Sequence, residues 1–221
     1  MVSTNGARII LLIFAAQIVN IVRGSSILFL SPLTAPSHSN FFKPVVKALA
    51  DRGHFVTYWN GLSQQHSDSI NTSVNLRLLY SPEMERINTN FGIGFQDRDS
   101  PFRLFFDIPA RLAKYCDAIY QDPVFHELVH SKERYDLLIV EGIFNDCVLP
   151  LVQIFDVPFV YMNGIAPTPW QLDVIGSPLA FDHFPYPGFS FPDEMDLWQR
   201  TFNACVIIIY CTRHKKSKYN H

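Results

Sequence analysis

Ser26-Ile-Leu-Phe-Leu30 and His54-Phe-Val-Thr-Tyr-Trp59 are the two apolar runs that decide the fold of this chain. Each has the length and the continuous apolar character of a strand that is buried on both faces. Between them, Ser39 or Asn40 can cap a helix that runs to about Arg52. A strand, a helix and a second strand in this order form a βαβ unit, which predicts a parallel sheet with a right-handed crossover.

A second βαβ unit follows later in the chain. Its strands are Tyr135-Asp-Leu-Leu-Ile-Val140 and Val157-Pro-Phe-Val-Tyr161, with a helix predicted over 146–155. Between the two units we predict a strand over 75–80, a polar loop over 81–100, a helix over 101–120 and a short helix over 123–131. The predicted fold class is α/β, with a Rossmann-like parallel sheet and flanking helices.

The composition and the amino-terminal segment limit the classes of function and the cellular locations that the sequence allows. The chain has 221 residues, of which 48% are hydrophobic, and a net charge of −2, which gives no basic patch for nucleic acid. Arg8, the apolar run 9–16 and small residues at 24–26 have the order of a secretory signal peptide, predicted as residues 1–24. In the secretory pathway Asn71, in Asn71-Thr-Ser73, becomes an acceptor for N-glycosylation. Cys116 and Cys147 are predicted to be buried free thiols, because the cysteine spacing fits neither a disulfide framework nor a zinc site.

The predicted domain organisation has three parts after the signal peptide. Residues 25–163 form the Rossmann-like domain. Residues 164–205, rich in proline, form loops and a helix of the same domain, with the helix at about 195–204. Residues 206–221 form an apolar and basic tail that is too short to span a bilayer.

Three titratable residues follow strands of the predicted sheet. His38 lies in the loop after the first strand, while Glu141 and Asp146 follow the strand that ends at Val140. Loops at the carboxyl ends of parallel strands converge on one crevice, where a histidine can act as a general base and a carboxylate can orient it. Each residue also has a non-catalytic alternative. His38 could be a surface histidine with no catalytic function, Glu141 a solvated charge at the end of a strand, and Asp146 a helix N-cap.

Four motifs in this order resemble a known family. They are Ser31-Pro-Leu-Thr-Ala-Pro-Ser-His-Ser-Asn40, Lys47-Ala-Leu-Ala-Asp-Arg-Gly-His-Phe-Val-Thr57, Tyr135-Asp-Leu-Leu-Ile-Val-Glu-Gly-Ile-Phe-Asn-Asp-Cys147 and Val157-Pro-Phe-Val-Tyr161. Together they resemble the amino-terminal half of a UDP-glycosyltransferase of the UDP-glucuronosyltransferase type, most like the insect members. The resemblance covers roughly residues 1–205.

The resemblance implies the amino-terminal, acceptor-binding domain of a GT-B glycosyltransferase in the lumen of the endoplasmic reticulum. Such an enzyme transfers glucose or glucuronic acid from a UDP-sugar to a hydroxyl of a small lipophilic acceptor, with inversion. His38 matches the family's catalytic base. For its partner carboxylate the resemblance favours Asp146, with Glu141 second. Phe41, Phe102 and Phe105 are candidate residues of the acceptor pocket.

The family pattern continues into a donor-binding domain and a membrane helix whose motifs are not found in this sequence. The expectation is therefore a truncated product that transfers no sugar alone and holds no cofactor or metal. The UDP-sugar would be a co-substrate of the other domain. Two further readings are a non-catalytic acceptor-binding or regulatory fragment and a secreted carrier of hydrophobic ligands. Homo-oligomer formation stays open.

Overall fold

Five parallel strands form one sheet at the centre of the domain. The computed structural model describes residues 24–63, 74–90, 112–164, 166–179, 181–186, 189 and 191–219. The sheet order is β3-β2-β1-β4-β5, which is the arrangement of a Rossmann-like domain. The strands are β1 (Ser26–Ser31), β2 (Phe55–Asn60), β3 (Leu76–Leu79), β4 (Leu137–Glu141) and β5 (Phe159–Met162). The helices are α1 (Pro36–Asp51), α2 (Pro82–Asn90), α3 (112–121), α4 (Pro123–Val129), α5 (Pro150–Phe155), α6 (Pro169–Val174) and α7 (Leu197–Tyr219), with a 3₁₀ turn at Asp146–Val148. The predicted α/β class and the parallel sheet are confirmed.

The central strands are buried on both faces, as their continuous apolar sequence requires. Successive residues of β1 point to opposite sides of the sheet. Leu28 and Leu30 belong to a core that includes Leu138 and Val140 of β4, while Ile27 and Phe29 belong to a second core under α1. The two cores hold β1 and β4 side by side, and this positions the loops at their carboxyl ends.

Helix α1 begins earlier than the sequence analysis predicts. Ala35 is its N-cap and Pro36 its first residue, so that Ser39 and Asn40 lie inside the helix. Proline favours the first helical position because its φ is already helical and its missing N–H has no partner to lose there. His38 is consequently the third residue of α1 and does not lie in a flexible loop.

Two other segments are more helical than predicted. The polar stretch predicted as a loop over 81–100 contains α2, whose first turn carries Glu83 and Glu85. Its start is fixed by Ser81, whose hydroxyl accepts the N–H of Met84 at 3.3 Å. At the other end of the chain, α7 continues to Tyr219 through the segment predicted as a tail.

A disulfide joins Cys116 of α3 to Cys147, which corrects the prediction of two free thiols. Their Cα atoms lie 5.2 Å apart although 31 positions separate them in the chain. Chain folding brings the cysteines together, and such a pair is invisible to an analysis of local spacing. Among the described residues no helix is both long and apolar enough to cross a membrane.

Candidate active site

The candidate site lies where the strand connections change direction. From β1 the chain moves outward to β2 and β3, and from β4 it moves to β5 on the other side. The connections leave the adjacent carboxyl ends of β1 and β4 in opposite directions, and this opens a crevice between them. Ser31 ends β1 and Glu141 ends β4, one position beyond the paired residues Leu30 and Val140.

Three side chains form a hydrogen-bonded relay in this crevice. His38 Nδ1 lies 2.5 Å from Glu141 Oε1, and the Ser31 hydroxyl donates to Glu141 Oε2. Ser31 and Glu141 are fully buried, whereas the His38 side chain is 21% exposed. A carboxylate at Nδ1 makes this nitrogen the proton-bearing one. Nε2 is then the ring nitrogen that can accept a proton from a bound hydroxyl.

The surroundings of the relay favour a basic histidine. The hydrogen bond and the charge of Glu141 raise the pKa of His38, while partial burial of the ring acts in the opposite direction. The position of His38 in the first turn of α1 also disfavours the imidazolium. Burial and the nearby Glu141 charge raise the pKa of the Tyr58 phenol, which therefore stays neutral beside the relay.

Two asparagines, one buried and one partly buried, fix the loop between β1 and α1. Asn145 accepts the N–H of Leu33 at 2.9 Å, and its amide donates to the Leu33 carbonyl at 2.8 Å and to the Ile143 carbonyl at 2.9 Å. Asn145 thus ties the loop after β1 to the loop after β4. The residue before it, Phe144, has a φ of 62°. This left-handed backbone conformation turns the chain so that the side-chain amide of Asn145 faces the interior.

Asn88 of α2 holds the same loop from the other side. Its amide donates to the carbonyls of Pro32 and Gly61, each at 2.8 Å, and its Oδ1 accepts the N–H of Thr34 at 2.9 Å. Sequence reasoning missed Asn88 and Asn145. For Asn88 the available signal was the Ser81-Pro-Glu83 start of a helix.

The carboxylate in contact with His38 is Glu141, whereas the sequence analysis favours Asp146. Asp146 begins the 3₁₀ turn beyond the bend at 142–144, and its oxygens accept from Tyr161 Oη at 2.8 Å and from Trp170 Nε1 at 3.0 Å. The N-cap of this turn is Asn145, so the alternative of Asp146 as an N-cap is also wrong. Glu141 is buried, which excludes the alternative of a strand-end charge in water.

An aromatic surface adjoins the relay. Phe41 lies one turn beyond His38 on α1, is 50% exposed and packs edge-on against Phe42 with ring centroids 5.2 Å apart. The end of β5 approaches the same place, because a Cβ on Gly164 would lie 3.9 Å from both the His38 ring and Phe41. Of the other predicted site residues, Phe102, Phe105 and Asn71 lie outside the described residues.

A further amide supports the loop after β4. Gln171 of α6 donates through Nε2 to the Gly142 carbonyl, and its Oε1 accepts from Asn163 at 3.3 Å and from the Thr168 N–H at 2.9 Å. A side chain at Gly142 would collide with these amides, since its Cβ would lie 1.7 Å from Asn163 Oδ1. Glycine therefore allows α6 to approach the residue next to Glu141. No group of three or more candidate metal ligands occurs among the described residues.

The curated proteins whose sequences resemble this chain are named as glycosyltransferases. UDP-glycosyltransferase UGT4 of Dactylopius coccus is 28% identical over 84% of this chain and 36% of its own length. UDP-glucosyltransferase 2 of the same organism is 26% identical, with 89% and 38% covered, and human 2-hydroxyacylsphingosine 1-beta-galactosyltransferase is 27% identical, with 86% and 35% covered. The chain thus spans little more than a third of the length of these relatives.

Comparison of structures gives a weaker match. The crystal structure of LpCGTa in complex with UDP aligns with 83% of this chain and 43% of its own, at 18% identity and a TM-score of 0.43. No protein-family model matches the sequence. The resemblance recognised in the sequence motifs is confirmed by the curated relatives, and the fold rests on the strand order described above.

Proposed function

We propose that this chain, a homologue of the UDP-glycosyltransferases, supplies the acceptor site and the catalytic base for transfer of a hexose from a UDP-sugar to a small lipophilic alcohol or phenol. The observation that carries the proposal is the relay of Ser31, Glu141 and His38 at the crevice between β1 and β4. Burial of a carboxylate costs several kcal/mol unless polar partners surround it. A relay of this kind beside an exposed aromatic ring fits general-base catalysis better than it fits a passive ligand carrier.

The proposed reaction begins at Nε2 of His38. This atom accepts the proton of the acceptor hydroxyl, and the oxygen attacks the anomeric carbon of the sugar as the bond from that carbon to the UDP oxygen breaks. The product glycoside has inverted configuration, UDP leaves, and the proton remains on His38. Glu141 stabilises the imidazolium through Nδ1, in the manner of a carboxylate that orients a histidine base.

Phe41 supplies the acceptor contact in this proposal. Half of its surface is open to solvent next to His38, so an aromatic or aliphatic acceptor can bury apolar area there while its hydroxyl reaches Nε2. Phe102 and Phe105 remain proposed members of the same pocket. The hexose is glucose or glucuronic acid, held as a co-substrate, and the chain binds no other cofactor.

The proposed location is the lumen of the endoplasmic reticulum. The apolar segment at 9–16 would direct export, and the Cys116–Cys147 disulfide fits an oxidising compartment. Asn71 is then the proposed glycan acceptor. Digestion with a peptide-N-glycosidase should lower the apparent mass of the secreted-pathway product, and the Asn71→Gln variant should show no such change.

The function is tested by measuring sugar transfer from UDP-glucose and UDP-glucuronate to a panel of phenols, with a full-length version in which the chain is joined to a donor-binding domain. His38→Ala should reduce turnover on the order of 10²–10⁴-fold, because it removes the general base. Acceptor binding, followed by quenching of tryptophan fluorescence, should persist. Turnover by His38→Ala equal to that of the unmodified protein would remove His38 from the mechanism.

A matched control is available at the other end of the strands, where their amino ends lie. His54 precedes β2 and its Nδ1 accepts the N–H of Ser25 at 3.1 Å, far from the carboxyl ends of the strands. His54→Ala removes the same side chain without touching the crevice. It should leave turnover within about twofold of the unmodified protein.

A further inference from the structure

A buried polar row lies across the sheet where three neighbouring strands end. Asn60, Ser31 and Glu141 are the last residues of β2, β1 and β4, which are adjacent in that order. Ser31 and Glu141 are fully buried, and Asn60 is 8% exposed. Side chains alternate along a strand, so Ser31 points to the same side of the sheet as Phe29, into the layer that α1 covers. In this layer each hydrogen bond to the Glu141 carboxylate replaces a contact with water.

The Glu141 carboxylate has two hydrogen-bonding partners that differ in kind. The Ser31 hydroxyl donates to Oε2, and His38 Nδ1 lies 2.5 Å from Oε1. Hydrogen bonds to a carboxylate stabilise its charged form. The charge that Ser31 stabilises is therefore less available to the imidazolium, and the two partners compete for it.

The contact with Glu141 alone would hinder a general base. It raises the pKa of His38, and a histidine that keeps its proton at neutral pH cannot accept one from a hydroxyl. The other buried titratable groups described in this layer are Tyr58 on β2, which stays neutral, and Lys43 on α1, whose pKa burial lowers. Neither adds a second negative charge beside the ring. Operation at neutral pH requires a group that draws charge away from His38, and Ser31 is placed to do so.

We propose that Ser31 is a positioning residue that limits how firmly Glu141 holds the proton of His38, and so leaves the ring free to act as a base at neutral pH. Loss of the Ser31 hydroxyl leaves the negative charge of Glu141 to His38 alone, and the pair then binds its proton more tightly. The catalytic consequence rests on the proposed function. The effect on the His38 proton does not, since it is a property of this chain by itself.

Tyr58 supports Ser31 from within the core. Its side chain is fully buried and packs edge-on against Phe29, with ring centroids 5.0 Å apart. Its phenol oxygen lies beside the hydroxyls of Ser31 and Ser39 without completing a hydrogen bond to either. Ser31 uses its proton on Glu141 and keeps two lone pairs, so a small rotation of the phenol lets it donate to Ser31 Oγ. Hydroxyls in a chain polarise one another, and Tyr58 thereby strengthens the bond from Ser31 to Glu141.

Titration of the His38 ring by NMR, in the full chain with isotope-labelled histidine, measures how tightly the ring holds its proton. The resonance that is missing from His38→Gln identifies the ring. Ser31→Ala should raise the pKa of His38 by roughly one unit, which is a tenfold tighter hold on the proton. Tyr58→Phe, which removes only the phenol hydroxyl, should raise it by roughly a third of a unit.

Ser39→Ala is the matched control. Ser39 is a second buried serine of this layer, 1% exposed, but its Oγ accepts from Asn60 Nδ2 at 3.2 Å and does not donate to the carboxylate. Its replacement should leave the pKa of His38 as it is in the unmodified protein. A shift as large as that of Ser31→Ala would show that loss of any hydroxyl in this layer disturbs the ring, and would overturn the proposal.

Glu141→Gln separates an effect of charge from an effect of structure. In this variant the charge is absent, so adding Ser31→Ala should leave the pKa of His38 unchanged, whereas a structural role would move it equally in both backgrounds. An equal shift in both backgrounds, or a pKa in Ser31→Ala that is unchanged or lower, would contradict the role assigned to Ser31. Circular dichroism shows whether each variant is folded, and if Ser31→Ala is not, Tyr58→Phe decides between the same outcomes.

The pH dependence of turnover tests the catalytic consequence, in the full-length version joined to a donor-binding domain. On the acid limb Ser31→Ala should be roughly tenfold slower, and it should recover the rate of the unmodified protein at alkaline pH, where the ring loses its proton. A rate equally low at every pH would assign Ser31 a structural role and refute the proposal. Absence of transfer by the unmodified full-length version would refute the proposed function, while the titration would still decide the role of Ser31.

Discussion

Replacement of Asn145 by alanine tests how the loops of the site are held together. The Asn145 side chain is fully buried and makes three hydrogen bonds, two to the backbone of Leu33 and one to the carbonyl of Ile143. Each hydrogen bond contributes about 1 kcal/mol net, and a buried group left without its partner costs about 1–3 kcal/mol. Asn145→Ala should therefore lower the free energy of unfolding by about 3 kcal/mol.

Urea denaturation followed by circular dichroism measures this loss. The midpoint should fall while the denaturant dependence stays constant, because the surface exposed on unfolding hardly changes. In a domain of this size, about 3 kcal/mol corresponds to a melting temperature lower by about 6–12 °C. Sugar transfer should also fall, since the loop that begins at Ser31 and leads to His38 is no longer fixed to the loop after Glu141.

Thr89→Ala is the control for this experiment. The Thr89 hydroxyl donates to the carbonyls of Glu85 and Arg86 at 2.9 and 3.0 Å, but on the exposed surface of α2. Water can replace these bonds, so the change should stay within about 0.5 kcal/mol. A loss below 1 kcal/mol for Asn145→Ala, or one no larger than the control, would refute the role assigned to this clamp.

Three further predictions concern the relay and its support. In the native protein the pKa of His38 is raised above 6.5, and Glu141→Gln should lower it. NMR titration of the His38 ring measures this change directly. The acid limb of the rate profile should also shift to lower pH. The part of the stability that comes from the raised pKa of His38 is present in full below pH 6.5 and is lost as pH rises through the native pKa, so the difference in unfolding free energy between Glu141→Gln and the unmodified protein should shrink at high pH. Replacing both Cys116 and Cys147 by serine should cost about 4 kcal/mol in urea denaturation, from the entropy of an open 31-residue loop; an unchanged midpoint would show that the bridge is absent. Gly142→Ala should reduce turnover and stability together, because its Cβ would overlap a side-chain amide; full turnover would show that α6 can retreat without consequence.

The regular elements were largely predictable, and the reasons are local. The apolar runs of β1, β2 and β4 are buried strands, whereas β5 at the edge of the sheet is equally apolar but exposes Phe159 and Val160. Helix α2 was missed because its residues are mostly polar, and hydrophobic periodicity outweighed the Ser-Pro-Glu signal at its start. The long extent of α7 was missed because its exposed side carries apolar residues, which conceals the amphipathic period.

The composition of the site was partly predictable. His38 and both candidate carboxylates were found from their positions after strands, and the crevice does bring His38 and Glu141 together. The choice of Asp146 followed the family resemblance and is replaced by Glu141. A glutamate at the last position of β4 needs only its own side chain to reach across to β1, whereas Asp146 lies beyond a bend, as the first residue of the 3₁₀ turn.

The sequence by itself determined the parallel α/β fold and the histidine, since both depend on which residues are apolar and on their order along the chain. The tertiary structure alone decided three features: the carboxylate that contacts His38, the asparagines that hold its loop and the pairing of Cys116 with Cys147. Each depends on distances between segments 31 to 112 positions apart. Such distances are set by the packing of strands and helices around the sheet, and no local pattern records them.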